Sequence, residues 1–108
     1  METQFETQQQ FHLADAQNYK KGQVEFRTIM SSHNGSVDLV AFDAGSHLPV
    51  HEAPEDVLVY VLEGEVDFAI KEKTERLNAG DAMLLSKGTR HEVHPLRDSK
   101  VMLIKIRP

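Results

Sequence analysis

An all-β fold, a sandwich or barrel of short strands, is what this 108-residue sequence predicts, and three observations predict it. Extended runs with period-two alternation recur along the chain. Turn chemistry separates them at intervals of about 8 to 12 residues. A helical apolar stripe is absent throughout, and the one candidate for a helical turn lies around residues 15 to 19.

The elements follow in order. Val24-Glu25-Phe26-Arg27-Thr28 alternates apolar or β-branched with charged residues, and residues 37 to 42 continue in extended style. Between them lies Ser31-Ser32-His33-Asn34-Gly35-Ser36, in which Asn34-Gly35 signals a two-residue hairpin loop. Residues 57 to 62 form a continuous β-branched and apolar strand, Glu63-Gly64 a tight bend, and residues 65 to 70 a second strand. Lys71 to Arg76 reads as a charged hairpin tip and Asn78-Ala79-Gly80-Asp81 as a turn, after which come strands at 82–85, 91–94 and 101–106. Residues 1 to 20 form an N-terminal segment, either frayed or an added edge strand, with exchange between subunits a possibility.

Composition narrows the chemistry. A chain of this length predicts one domain, 1–108, able to bury a core without staples. With no cysteine, disulfides and thiolate metal sites are excluded, so a metal would need His and carboxylate ligands. The longest apolar run is six residues, far below a membrane span, and the acidic N-terminus lacks a signal-peptide core, so a cytoplasmic protein with no membrane partner is expected. The net charge is −5. Residues 87 to 108 carry six of the twelve basic side chains, but Lys100, Lys105 and Arg107 are interleaved with apolar residues as in the polar positions of a final strand, and no nucleic-acid partner is expected.

Two glycine-anchored blocks resemble the paired motifs of the cupins. The first cupin motif runs Gly, five residues, His, one residue, His, three or four residues, Glu, six residues, Gly; here Gly45, His51 and Gly64 match, while Ala53 and Val57 replace the second His and the Glu. The second runs Gly, five residues, Pro, one residue, Gly, two residues, His, three residues, Asn; here Gly80, Gly88 and His91 match, while Ser86 and Pro95 replace the Pro and the Asn. His51, Pro54 and Asp56 also resemble a pattern found in a subset of small bacterial cupins. The resemblance covers residues 35 to 106 and implies a cupin double-stranded β-helix, an RmlC-like jelly-roll barrel. It leaves the activity open, since cupins include dioxygenases, isomerases, epimerases, sugar and hormone binders, storage proteins and sensor domains.

Strand parity then orients the candidate site. If His51 points into the barrel, His47 and Ala53 share its face; Val57 and Val59 line the wall, and His91 points in with Val93 while His94 faces out. The leading expectation is a small-molecule ligand in a pocket formed by His47, His51, Ala53, Val57, Val59, His91 and Val93. A competing one is a metal-dependent oxygenase or isomerase holding Zn, Fe, Mn or Ni on His51, His91 and His47. A third is a metal-free isomerase using His51 with Asp56, against a plain turn role for Asp56. Leu58, Tyr60 and Leu62 face away from the barrel and predict cover, either by a second subunit in a homodimer or by the N-terminal segment.

Overall fold

The computed structural model describes residues 1–107. Its strands are β1 (Val24–Ser32), β2 (Gly35–Phe42), β3 (Leu48–Glu52), β4 (Asp56–Glu63), β5 (Glu65–Ile70), β6 (Lys73–Asn78), β7 (Ala82–Leu85), β8 (Arg90–Pro95) and β9 (Ser99–Ile106). They form two antiparallel sheets, ordered β1-β2-β9-β4-β7 and β3-β8-β5-β6. The chain passes repeatedly from one sheet to the other, which is the jelly-roll arrangement the sequence predicts. The inward residues interdigitate between the sheets: Val40 and Phe42 from β2, Val57, Val59 and Val61 from β4, Val66 and Phe68 from β5, Val93 from β8 and Val101 from β9 are all buried.

Local departures from the sequence reading have identifiable causes. The β1–β2 loop is His33-Asn34, one residue earlier than Asn34-Gly35, because Ser32 pairs with Gly35. Gly35 is needed for another reason: a Cβ there would strike the Lys105 carbonyl of the neighbouring strand. The charged tip shrinks to Lys71-Glu72, with Lys71 at φ 54°, and the strand resumes at Lys73, where cross-strand pairing outweighs the polar composition. The helical turn is a 3-10 turn at Leu13–Ala16, ahead of the expected position. Strand β3 has no clear signal in the sequence, because Pro49 interrupts it and four of its five residues are exposed.

The bend between β4 and β5 depends on Gly64. Its φ is +91°, and a Cβ would collide with Ser99 and the Asp98 carbonyl. Ser99 can approach so closely that its Oγ accepts the Glu65 N–H at 2.9 Å.

The N-terminal segment crosses the outer face of the five-stranded sheet as a strap. Glu2 bridges to Ser31 of β1 through reciprocal backbone hydrogen bonds of 2.7 and 2.9 Å. Phe5, Leu13 and Ala16 pack on Ile29, Val37, Leu39 and Leu62, so Leu62 is covered by the chain's own N-terminus. Polar contacts hold the strap down: Lys100 donates to the Ala14 carbonyl with its ammonium 4.9 Å from the Tyr19 ring centroid, Arg27 donates to the Ala16 carbonyl, and the Tyr19 hydroxyl donates to Glu63 at 2.8 Å. Lys100, expected at a polar strand position, is therefore buried. No helix among the described residues is long and apolar enough to cross a membrane.

Candidate functional site

Between the two sheets lies a cavity of about 320 Å³ whose wall is largely apolar. The five-stranded sheet contributes Val40, Phe42, Val57, Val59, Leu85, Val101 and Leu103, and the opposite sheet contributes Leu48, Phe68 and Val93. Phe26, His51, Glu52 and Pro54 line the mouth and are exposed, while Ala53 beside them and His91 are buried. Four polar side chains reach the wall: His51, Glu52, His91 and Lys105.

The two histidines are positioned by strand pairing. His51 of β3 and His91 of β8 are register partners, and their ring centroids lie 4.1 Å apart at an interplanar angle of 58°. Each ring is fixed by the backbone two residues earlier: His51 Nδ1 lies 3.0 Å from the Pro49 carbonyl and His91 Nδ1 lies 3.0 Å from the Thr89 carbonyl. A carbonyl only accepts, so both Nδ1 atoms carry the proton and Nε2 is the lone-pair nitrogen of each neutral ring. Burial, together with the neighbouring His51, holds His91 below the ordinary histidine pKa against the opposing pull of the Thr89 carbonyl. With both rings uncharged, the pair offers a ligand two hydrogen-bond acceptors.

The second polar feature is one that sequence reasoning missed. Lys105 on β9 lines the cavity, and its Nζ lies 2.9 Å from Oδ2 of Asp38 on β2. Asp38 is buried, and its Oδ1 has no hydrogen-bond partner among the described residues. Parity contained the signal: Lys105 shares a strand face with Val101 and Leu103, and Asp38 shares one with Val40 and Phe42. The charge of the side chains argued for solvent, whereas the salt bridge lets both sit on the inner face.

Two expected site residues lie elsewhere. Leu48 pairs with Val93 and His51 with His91, so β3 spends three residues where β8 spends two. This bulge breaks the parity count, places Leu48 rather than His47 in the wall, and leaves the His47 ring stacked on His94 at 5.2 Å and 6°. Asp56 also does not line the cavity. Its Oδ1 accepts the Lys87 N–H at 2.8 Å, so its role is that of a turn carboxylate and the His51–Asp56 acid–base pair does not form.

Taken together, the two sheets make a small jelly-roll barrel that encloses a largely apolar cavity with paired imidazoles in its wall. The chain belongs to the cupin family: the cupin domain model matches residues 38–106. Solved structures agree in fold. A conserved protein of unknown function from Streptococcus pyogenes is 20% identical with a TM-score of 0.89, over 100% of this chain and 96% of that one. A cupin superfamily protein from Desulfitobacterium hafniense is 18% identical with a TM-score of 0.87, over 95% and 94%. An RmlC-like cupin from Desulfovibrio desulfuricans is 24% identical with a TM-score of 0.80, over 91% and 95%. No curated protein matches the chain.

The family often binds metals, which makes the donor set here worth testing. A resident divalent ion usually takes three or more protein ligands. His51 and His91 supply two, Ala53 and Val57 carry no donor at the other motif positions, and His47 is turned to His94. No group of three or more His, Asp or Glu side chains suited to a metal occurs among the described residues. These residues do not fit a closed metal centre.

Proposed function

We propose that this protein is a small-molecule-binding cupin whose ligand occupies the barrel cavity around His51 and His91. The observation that carries the reading is the pair of locked tautomers: two Nε2 lone pairs on a wall that is largely apolar, a combination that orients a ligand as well as enclosing it. The test is a fragment screen read by the ring ¹⁵N resonances of the histidines. Compounds that bind should shift His51 and His91 and lose affinity when both are replaced by Ala. Binding unchanged in the double variant refutes the assignment.

A metal-dependent oxygenase or isomerase is the reading this donor set supports less, since His51 and His91 supply two donors and no third side chain converges on them among the described residues. Elemental analysis of untagged protein and thermal shift with added Zn, Fe, Mn or Ni decides it; no retained metal and no shift removes it.

We also propose a homodimer. Leu58, Leu84, Ile104 and Ile106 form a strip on the outer face of β7, β4 and β9, contiguous with the part of that face buried under the strap, and Leu84 is 76% exposed. β7 is also an edge strand with unpaired backbone groups, so a second copy can meet strip and edge with the same surface about a two-fold axis. Sedimentation should give a dimer that Leu84→Asp dissociates; a wild-type monomer at micromolar concentration overturns this.

A further inference from the structure

We infer that the cavity ligand is an uncharged, mainly aromatic or alicyclic molecule carrying a hydroxyl at one end and an oxygen acceptor at the other. The inference rests on the cavity being the binding site and specifies the chemistry that the site selects.

Charge balance is the first argument. Among the described residues the lysine in the wall, Lys105, is neutralised by Asp38 at 2.9 Å. The two imidazoles lie with centroids 4.1 Å apart, which opposes charging both, and burial disfavours charging His91. Glu52 is exposed at the mouth, 3.9 Å from Arg90, and its charge belongs to solvent. The interior therefore has no net charge to offer an ionised ligand, and an uncompensated buried charge is strongly disfavoured.

Placement of the polar groups is the second. The histidines sit on the four-stranded sheet and Lys105 on the five-stranded sheet, with apolar side chains between them; packed sheets lie about 10 Å apart. The histidine pole accepts hydrogen bonds through Nε2, so it selects a hydroxyl or N–H. Asp38 is the partner of the Lys105 ammonium, which retains donor capacity for a carbonyl or ether oxygen. The intervening wall, including Phe42 and Phe68, has too few polar groups to satisfy the many hydroxyls of a sugar.

Three probes test this by calorimetry at pH 7.5 with wild-type protein: 4-hydroxyacetophenone, acetophenone, which lacks the hydroxyl, and 4-hydroxybenzoate, which replaces the acetyl group by a carboxylate. 4-Hydroxyacetophenone should bind tightest, with acetophenone and 4-hydroxybenzoate each weaker by about tenfold or more. Asp38→Asn removes the balancing charge and should strengthen 4-hydroxybenzoate by about tenfold while leaving 4-hydroxyacetophenone within about threefold. If that variant does not fold, the wild-type order alone decides. Equal or tighter binding of 4-hydroxybenzoate to the wild type, or of acetophenone, overturns the inference but leaves the cavity as the site, provided the His51 and His91 ring resonances shift. Binding that leaves both rings unmoved, or no binding of any probe, overturns the inference and the cavity assignment together.

Discussion

Val57→Glu is the sharpest perturbation available, because it adds a carboxylate to a cavity wall that already holds two imidazoles. Val57 is 7% exposed and lines the same cavity as His51 and His91. Without metal, the new carboxylate is buried in a largely apolar wall beside its register partner Lys105, whose charge is already matched by Asp38, at a cost of about 3 kcal/mol. A 108-residue chain has an unfolding entropy of about 0.23 kcal/mol/K, so Tm should fall by about 13 °C. If the carboxylate reaches the Nε2 atoms of His51 and His91 across the cavity they share with position 57, three ligands become available. A divalent ion present at a hundredfold excess over its Kd then returns about 2.7 kcal/mol, or about 12 °C. Scanning calorimetry in EDTA and then in Zn or Mn, on the variant and the wild type together, reads both steps. A variant as stable as wild type in EDTA, or metal shifts identical in the two proteins, would refute the placement of Val57 in one buried cavity with His51 and His91.

The remaining predictions concern stability and cover. His91 titrates below the ordinary value of 6.5 because of burial, so protonation favours the unfolded chain: its contribution is complete above about pH 6.5 and is lost as pH falls toward the folded pKa. Urea midpoints at pH 7.5 and 5.5 should differ less in His91→Gln than in wild type, and an unchanged difference contradicts the assignment. Gly64→Ala should cost about 2 kcal/mol or more in chemical denaturation, from the positive φ and the contact with Ser99 and Asp98; a loss under about 0.5 kcal/mol would show that the bend relaxes freely. Lys100→Met removes the ammonium from the Ala14 carbonyl and the Tyr19 ring, and should accelerate tryptic cleavage at Lys20 or Lys21 several-fold without comparable change elsewhere. Equal cleavage rates would mean that apolar packing alone holds the strap.

The barrel was legible where side-chain type and strand face agree. Val57, Val59 and Val61 alternate with half-buried Leu58 and Tyr60, and the motif glycine at position 64 falls at a bend that only glycine accommodates well. Legibility ended where a local irregularity or a long-range partner intervenes. His47 was counted from His51 through Pro49 and Val50, and one unpaired residue there reverses the count. Lys105 and Asp38 look solvent-bound separately, and only the pairing of β2 with β9 shows that each neutralises the other. Phe26 at the mouth could not be assigned either, because β1 is an edge strand and nothing local says which of its faces overhangs the cavity.

The bulge in β3 also bears on how this chain can diverge. One extra residue separates four motif histidines into two pairs, His51 with His91 on the inner face and His47 with His94 on the outer. The pairs share the β3–β8 strand pair but no common partner, so substitutions in one should combine additively with substitutions in the other. Drift can rework the outer pair without altering what the barrel holds, and selection on the barrel can proceed while the outer pair stays as it is.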